Sequence, residues 1–64
     1  MRTKKIRLKK ETFSYMPSIY YIEEKNWFGW TRIYETDKIG DIFDYIEDLN
    51  SLYNINIIDS DILC

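Results

Sequence analysis

Apolar and polar residues alternate from Lys4 to Lys9, with Ile6 and Leu8 on one side of an extended chain and Lys5, Arg7 and Lys9 on the other. A period of two with a charged outer row predicts a half-buried strand. Phe13 and Tyr15 form a second alternating piece of opposite parity, so a bulge or turn is expected near Lys10-Glu11. Pro17 then predicts a strand break around Met16 to Ser18, because proline donates no ladder hydrogen bond and restricts the residue before it.

Residues 19–36, IYYIEEKNWFGWTRIYET, read as two alternating runs joined at Asn26-Trp27-Phe28-Gly29. Asn at the first turn position and Gly at the fourth suit a type I turn, and Gly29 tolerates the left-handed backbone that closes a short hairpin with a bulge. The expected register sets Asn26 opposite Trp30, Glu24 opposite Arg32, Ile22 opposite Tyr34 and Tyr20 opposite Thr36. One face then carries an opposite-charge pair and an aromatic/β-branched pair. The Tyr20, Ile22, Trp30 and Tyr34 face is expected to be the core side, since a one-residue slip would replace it with a face poorer in aromatics.

The pattern next changes period. Ile39, Ile42, Phe43, Ile46, Leu49 and Tyr53 recur at steps of three and four, behind Thr36-Asp37 as an N-cap pair, which predicts an amphipathic helix ending between Asn50 and Asn54. Ile55 to Ile58 read as a short last strand. The predicted fold class is α+β: one domain spanning residues 1–64, in the order βββαβ, with a small, mainly antiparallel sheet of three to four strands and one amphipathic helix on one face.

Composition narrows the function. A 64-residue chain lies near the lower size limit for a core without staples, where net stability is about 3–5 kcal/mol. Six Tyr, three Phe and two Trp supply large apolar area from few residues. With no His, and its one Cys at position 64, the chain lacks the usual nucleophile-and-base pairs and any intramolecular disulfide. No catalytic residue, cofactor or metal site is assigned, and Asp59-x-Asp61 lacks the Gly and closing Glu of a calcium loop. No apolar run reaches the ~18 residues of a membrane span, so a cytoplasmic protein without membrane contact is expected.

Charge is unevenly spread. Residues 1–10 hold six Lys or Arg and no acid, whereas the other 54 hold three basic and eleven acidic side chains. Three surfaces follow as candidates. Along the helix, Asp37, Asp41, Asp44, Glu47 and Asp48 form an acidic row, either an ordinary solvated face or an imitation of a phosphate backbone that occupies a basic groove. At the turn, Trp27 and Phe28, with Trp30 beside them, either fold back over the sheet or anchor a partner protein. In the leading strand, Lys4, Lys5, Arg7, Lys9 and Lys10 either protect a sheet edge or track nucleic-acid phosphates.

The YYIEEKNWFGWTRI hairpin and DIFDYIEDL helix, about half the chain, resemble small proteins of bacteriophages and other mobile elements that pair an FGW-type hairpin with one amphipathic helix. That resemblance implies no enzymatic activity, only an accessory protein of the kind that binds and blocks a host enzyme or defence complex. The leading expectation is therefore a non-enzymatic interaction module or inhibitor. It would use Trp27, Phe28, Trp30, Asp41, Asp44, Glu47 and Asp48 against a basic surface of a host nucleic-acid-handling or defence protein, in the host cytoplasm. The alternatives are a nucleic-acid-binding module built on the basic strand and a structural subunit, monomer or homodimer, that self-associates through a sheet edge.

Overall fold

The computed structural model describes residues 2–62; Cys64 lies outside them. The elements are β1 (Thr3–Glu11), β2 (Ile19–Asn26), β3 (Gly29–Thr36), α1 (Ile39–Asn50) and β4 (Asn54–Ser60). They form a four-stranded sheet in the order β3-β2-β1-β4 with the expected βββαβ succession. Two of the three pairings are antiparallel, and the third, β1 with β4, is parallel. β3 and β4 therefore run in the same direction at opposite edges, and α1 supplies the crossover that two parallel strands require.

The alternation in β1 has the consequence predicted for it. Ile6 and Leu8 point under the helix and, with Ile22 and Ile42, are the fully buried side chains among the described residues. Each contributes about 1.5–3 kcal/mol by leaving water. Tyr20, Ile33, Tyr34, Tyr45, Ile46 and Ile55 pack around them, and the Tyr34 and Tyr45 rings stack at 4.3 Å between centroids, 11° from parallel.

Three expectations are corrected here. In the hairpin, Ile22 pairs with Tyr34 and Tyr20 with Thr36 as anticipated, but Glu23 pairs with Arg32, Lys25 with Trp30 and Asn26 with Gly29. Ile33 is a bulge residue that reverses the facing of everything nearer the turn, so Trp30 lies on the open face of the sheet and not in the core. On the helix the buried stripe runs through Ile42, Tyr45 and Ile46, while Ile39 and Phe43 remain 41% and 42% exposed. Tyr45 takes the inward place because its ring has Tyr34 to stack upon. Third, Phe13 and Tyr15 form no strand; they lie in the 12–18 connection, their rings 6.2 Å apart.

The helix start is also displaced from the expected cap. Lys38 is the N-cap residue and makes no side-chain cap bond, whereas the Thr36 hydroxyl accepts from the Lys38 N–H at 3.1 Å and donates to the Asp41 carboxylate at 2.9 Å. One hydroxyl thus ties the end of β3 to the first turn of α1. The helix closes at Ser51, whose N–H and hydroxyl both donate to the Asp48 carbonyl. In β4 the ladder skips Ile58 between Ile57 and Asp59. Both edge strands thus carry a bulge, which works against pairing with a second sheet.

Candidate functional site

The most exposed large side chains sit at the β2–β3 turn, where Trp27 is 98% exposed and Phe28 fully so. The turn beneath them is well specified. Gly29 has φ +122°, a left-handed backbone value that side-chain-bearing residues rarely adopt, and Trp27 and Phe28 both keep negative φ. The Asn26 carboxamide oxygen accepts from the Phe28 N–H at 2.9 Å, and its Nδ2 donates to the Thr31 hydroxyl. Both bonds hold the turn from within, so the two aromatic rings are presented outward on a fixed frame.

A shallow groove of about 740 Å³ opens beside this turn, lined by Arg2, Thr3, Lys4, Lys5, Glu24, Lys25, Asn26, Trp27 and Tyr53. The topology brings these residues together from four segments. The start of β1 lies against the end of β2, and the chain leaving α1 joins β1 through a bond from the Asn54 N–H to the Arg2 carbonyl at 2.8 Å. Four cations and one carboxylate line it, Lys4 and Glu24 from the helix side of the sheet and Lys5 and Lys25 from the open side. Glu24 is taken by Lys4, at 2.5 Å, and the same ammonium lies 4.5 Å from the centre of the Tyr53 ring. Arg2, Lys5 and Lys25 have no ion-pair partner among the described residues, though the Lys25 ammonium is 5.7 Å from the Trp30 ring centre.

The remaining basic residues of β1 are engaged. Arg7 bonds Glu23 at 2.5 Å and lays its guanidinium over the Trp30 ring at 4.3 Å. Lys9 lies between Asp59 at 3.4 Å and Asp61 at 3.5 Å, and Lys10 is 5.9 Å from the Tyr20 ring. Along one row of the open face, the register sets Arg32, Glu23, Arg7 and Asp59 side by side across all four strands, charges alternating in sign. Arg32 stacks on Tyr21 at 3.8 Å, and its hydrogen bond to Glu35 at 2.7 Å raises its pKa above the ordinary arginine value.

The acidic row behaves differently. Asp37, Asp44, Glu47 and Asp48 are exposed and make no salt bridge among the described residues, while Asp41 is half-buried and held by Thr36. Thr36 and Gly29 are the two ends of the eight-residue β3, so the start of the acidic row and the aromatic tip are separated by about 23 Å of strand. The residues expected to act together therefore fall into two groups, Trp27 and Phe28 beside the basic groove and the carboxylates along the helix, which begin at the other end of β3 and run back toward the groove that Tyr53 lines. Trp30 belongs to neither, being covered by Arg7.

Sequence reading missed the contribution of Arg2, Lys25 and Tyr53 to the groove. Lys25 was visible as the residue flanking the turn, but only the parallel pairing of β4 with β1 brings Tyr53 and Arg2 to the same place. Among the described residues, no three His, Cys, Asp or Glu side chains converge as metal ligands, and no helix is long and apolar enough to cross a membrane. In comparisons with known proteins, no family model, no curated protein and no solved structure matches the chain.

Proposed function

We propose that this protein is a non-enzymatic binding module that holds its partner with the β2–β3 tip. The observation that carries the reading is the full exposure of Trp27 and Phe28 on a turn whose backbone is fixed by Gly29 and Asn26. Two exposed rings do nothing for the core, and a rigid aromatic pair loses little conformational freedom on binding, as anchor residues at interfaces do. The test compares the tagged chain with a Trp27→Ser/Phe28→Ser double variant in cell extract, after thermal melts have shown both equally folded. Loss of a specifically retained species from the variant alone is the expected result. Identical retention by both chains would refute the tip as the binding end.

A second contact is favoured by the exposed, unbridged carboxylates Asp37, Asp44, Glu47 and Asp48. In this reading the helix faces a basic surface of a host nucleic-acid-handling or defence protein, as an accessory protein of phage type would. Asp44→Lys/Glu47→Lys should then weaken retention of that protein, and by more at low salt than at high salt. Retention indifferent to both changes removes the helix from the interface.

A further inference from the structure

We infer that the groove beside the tip binds a short stretch of single-stranded nucleic acid, with Arg2, Lys5 and Lys25 on its phosphates and Trp27 stacked on a base. The inference rests on the tip being the binding end and adds the chemistry of its ligand. Three lines support it. First, the groove has an excess of positive charge that the fold leaves available, because its one carboxylate, Glu24, is already bonded to Lys4 while Arg2, Lys5 and Lys25 have no acidic partner among the described residues. Elsewhere on β1 Arg7 is paired with Glu23 and Lys9 with Asp59 and Asp61, while Lys10 lies 5.9 Å from the Tyr20 ring.

Second, cations and a free ring occur together. Trp27 lines the same groove as the three cations and is 98% exposed, so its indole face is open to a flat partner. Phosphate contacts plus base stacking on an aromatic platform is the combination by which single strands are held without sequence preference. An acidic peptide would satisfy the cations but has no systematic use for an exposed indole. A duplex would satisfy the cations too, but hides its base faces in the stack. Third, the acidic helix limits the length of the ligand. Five carboxylates between Asp37 and Asp48 repel a polyanion that continues along the molecule, so the contact is confined to the few nucleotides that the groove can hold.

The test is a fluorescence-anisotropy titration of the full chain with labelled oligothymidine and oligouridine of about ten nucleotides, beside an oligoglutamate of similar length, at two salt concentrations. With three phosphates neutralised on a single strand, affinity should fall about twentyfold between ~50 and ~200 mM salt. Lys5→Gln/Lys25→Gln should cut that fall to about threefold, since one phosphate contact remains. Trp27→Ala should lower affinity about ten- to a hundredfold and leave the salt dependence as it was. Comparing the DNA and RNA arms tells which sugar is preferred. No binding of either oligonucleotide overturns the inference, as does equal or tighter binding of the oligoglutamate, or a Trp27→Ala variant that binds as well as the parent chain. If those results come while the Trp27→Ser/Phe28→Ser variant still loses its retained species from extract, the tip remains the binding end and only its ligand has been misassigned.

Discussion

Neighbouring residues of the same strands build the two faces of this sheet by different physics. One row, Tyr34, Ile22, Leu8 and Ser60, lies on the helix side, while the next, Arg32, Glu23, Arg7 and Asp59, lies on the open side. The covered row gains its stability by removing aliphatic surface from water against Ile42. The open row has no second layer among the described residues, and it shields its aromatic surface with its own charged side chains, Arg7 over Trp30 and Arg32 over Tyr21. The difference shows how 64 residues and one helix suffice for a sheet with two faces: guanidinium groups act as a thin second cover. It also implies unequal fragility, since buried aliphatic contacts admit no substitute for lost atoms, whereas exposed ion pairs can be replaced by water.

The largest effect is therefore expected on the covered face. Ile22→Ala removes a fully buried side chain at the centre of the core and should cost about 2–5 kcal/mol, comparable with the whole ~3–5 kcal/mol expected for a domain of this size. Loss of the cooperative thermal transition, read by circular dichroism, is the outcome; a melt shifted by only a few degrees would show that the core lies elsewhere. Gly29→Ala comes next. No atom lies within 4 Å of the added Cβ, so the penalty is purely conformational, set by φ +122°, and should be about 1–3 kcal/mol. Both faces share this turn, so the variant should lose covered and open contacts together. Native-state hydrogen exchange that loosens one face alone would argue against that shared dependence.

On the open face the effects shrink. Arg7 and Glu23 are partly shielded and 2.5 Å apart, and a double-mutant cycle to Ala should give a coupling of about 0.5–1 kcal/mol. The cycle between Arg7 and Trp30, whose ring lies 4.3 Å away, should give a similar coupling of about 0.5–1 kcal/mol. If either coupling exceeded the loss at Ile22, the open face would be a second core and not a cover, and the contrast between the faces would fail.

These contacts also mark how far the sequence could be read. The period of two at Ile6 and Leu8, the change of period at Ile39, and the Asn26/Gly29 turn all follow from local chemistry, and all lead to the observed elements. The corrections to the hairpin register and to the helix stripe arise from non-local choices. A bulge at Ile33 is invisible locally because every residue around it suits a strand, yet it alone moves Trp30 from one face to the other. The rotation of the helix stripe depends on Tyr34 being available to Tyr45. The basic leader was legible as a charge run, but its division into neutralised and free cations depends on which strands flank it. Glu23 and Glu24 arrive from β2, and Asp59 from the parallel β4. The candidate groove was thus half legible: Lys4, Lys5 and Trp27 were singled out, but Arg2, Lys25 and Tyr53 and the shared location were not.

The smallest stability effect is predicted where the largest functional one is. Trp27 and Phe28 extend beyond both faces, exposed to water almost as fully as in an unfolded chain. Replacing them with Ser removes no packed contact, and the Asn26 bond to the Phe28 N–H uses a backbone donor that every residue but proline supplies. Thermal stability of the double variant should therefore stay within about 0.5 kcal/mol of the parent, and expression or solubility should improve as an exposed apolar patch disappears. A loss above about 1.5 kcal/mol, the size expected for burying a large apolar side chain, would mean that the rings fold back onto the sheet in solution. The tip would then be a third piece of cover, and the separation between residues that hold the fold and residues left free to bind would no longer stand.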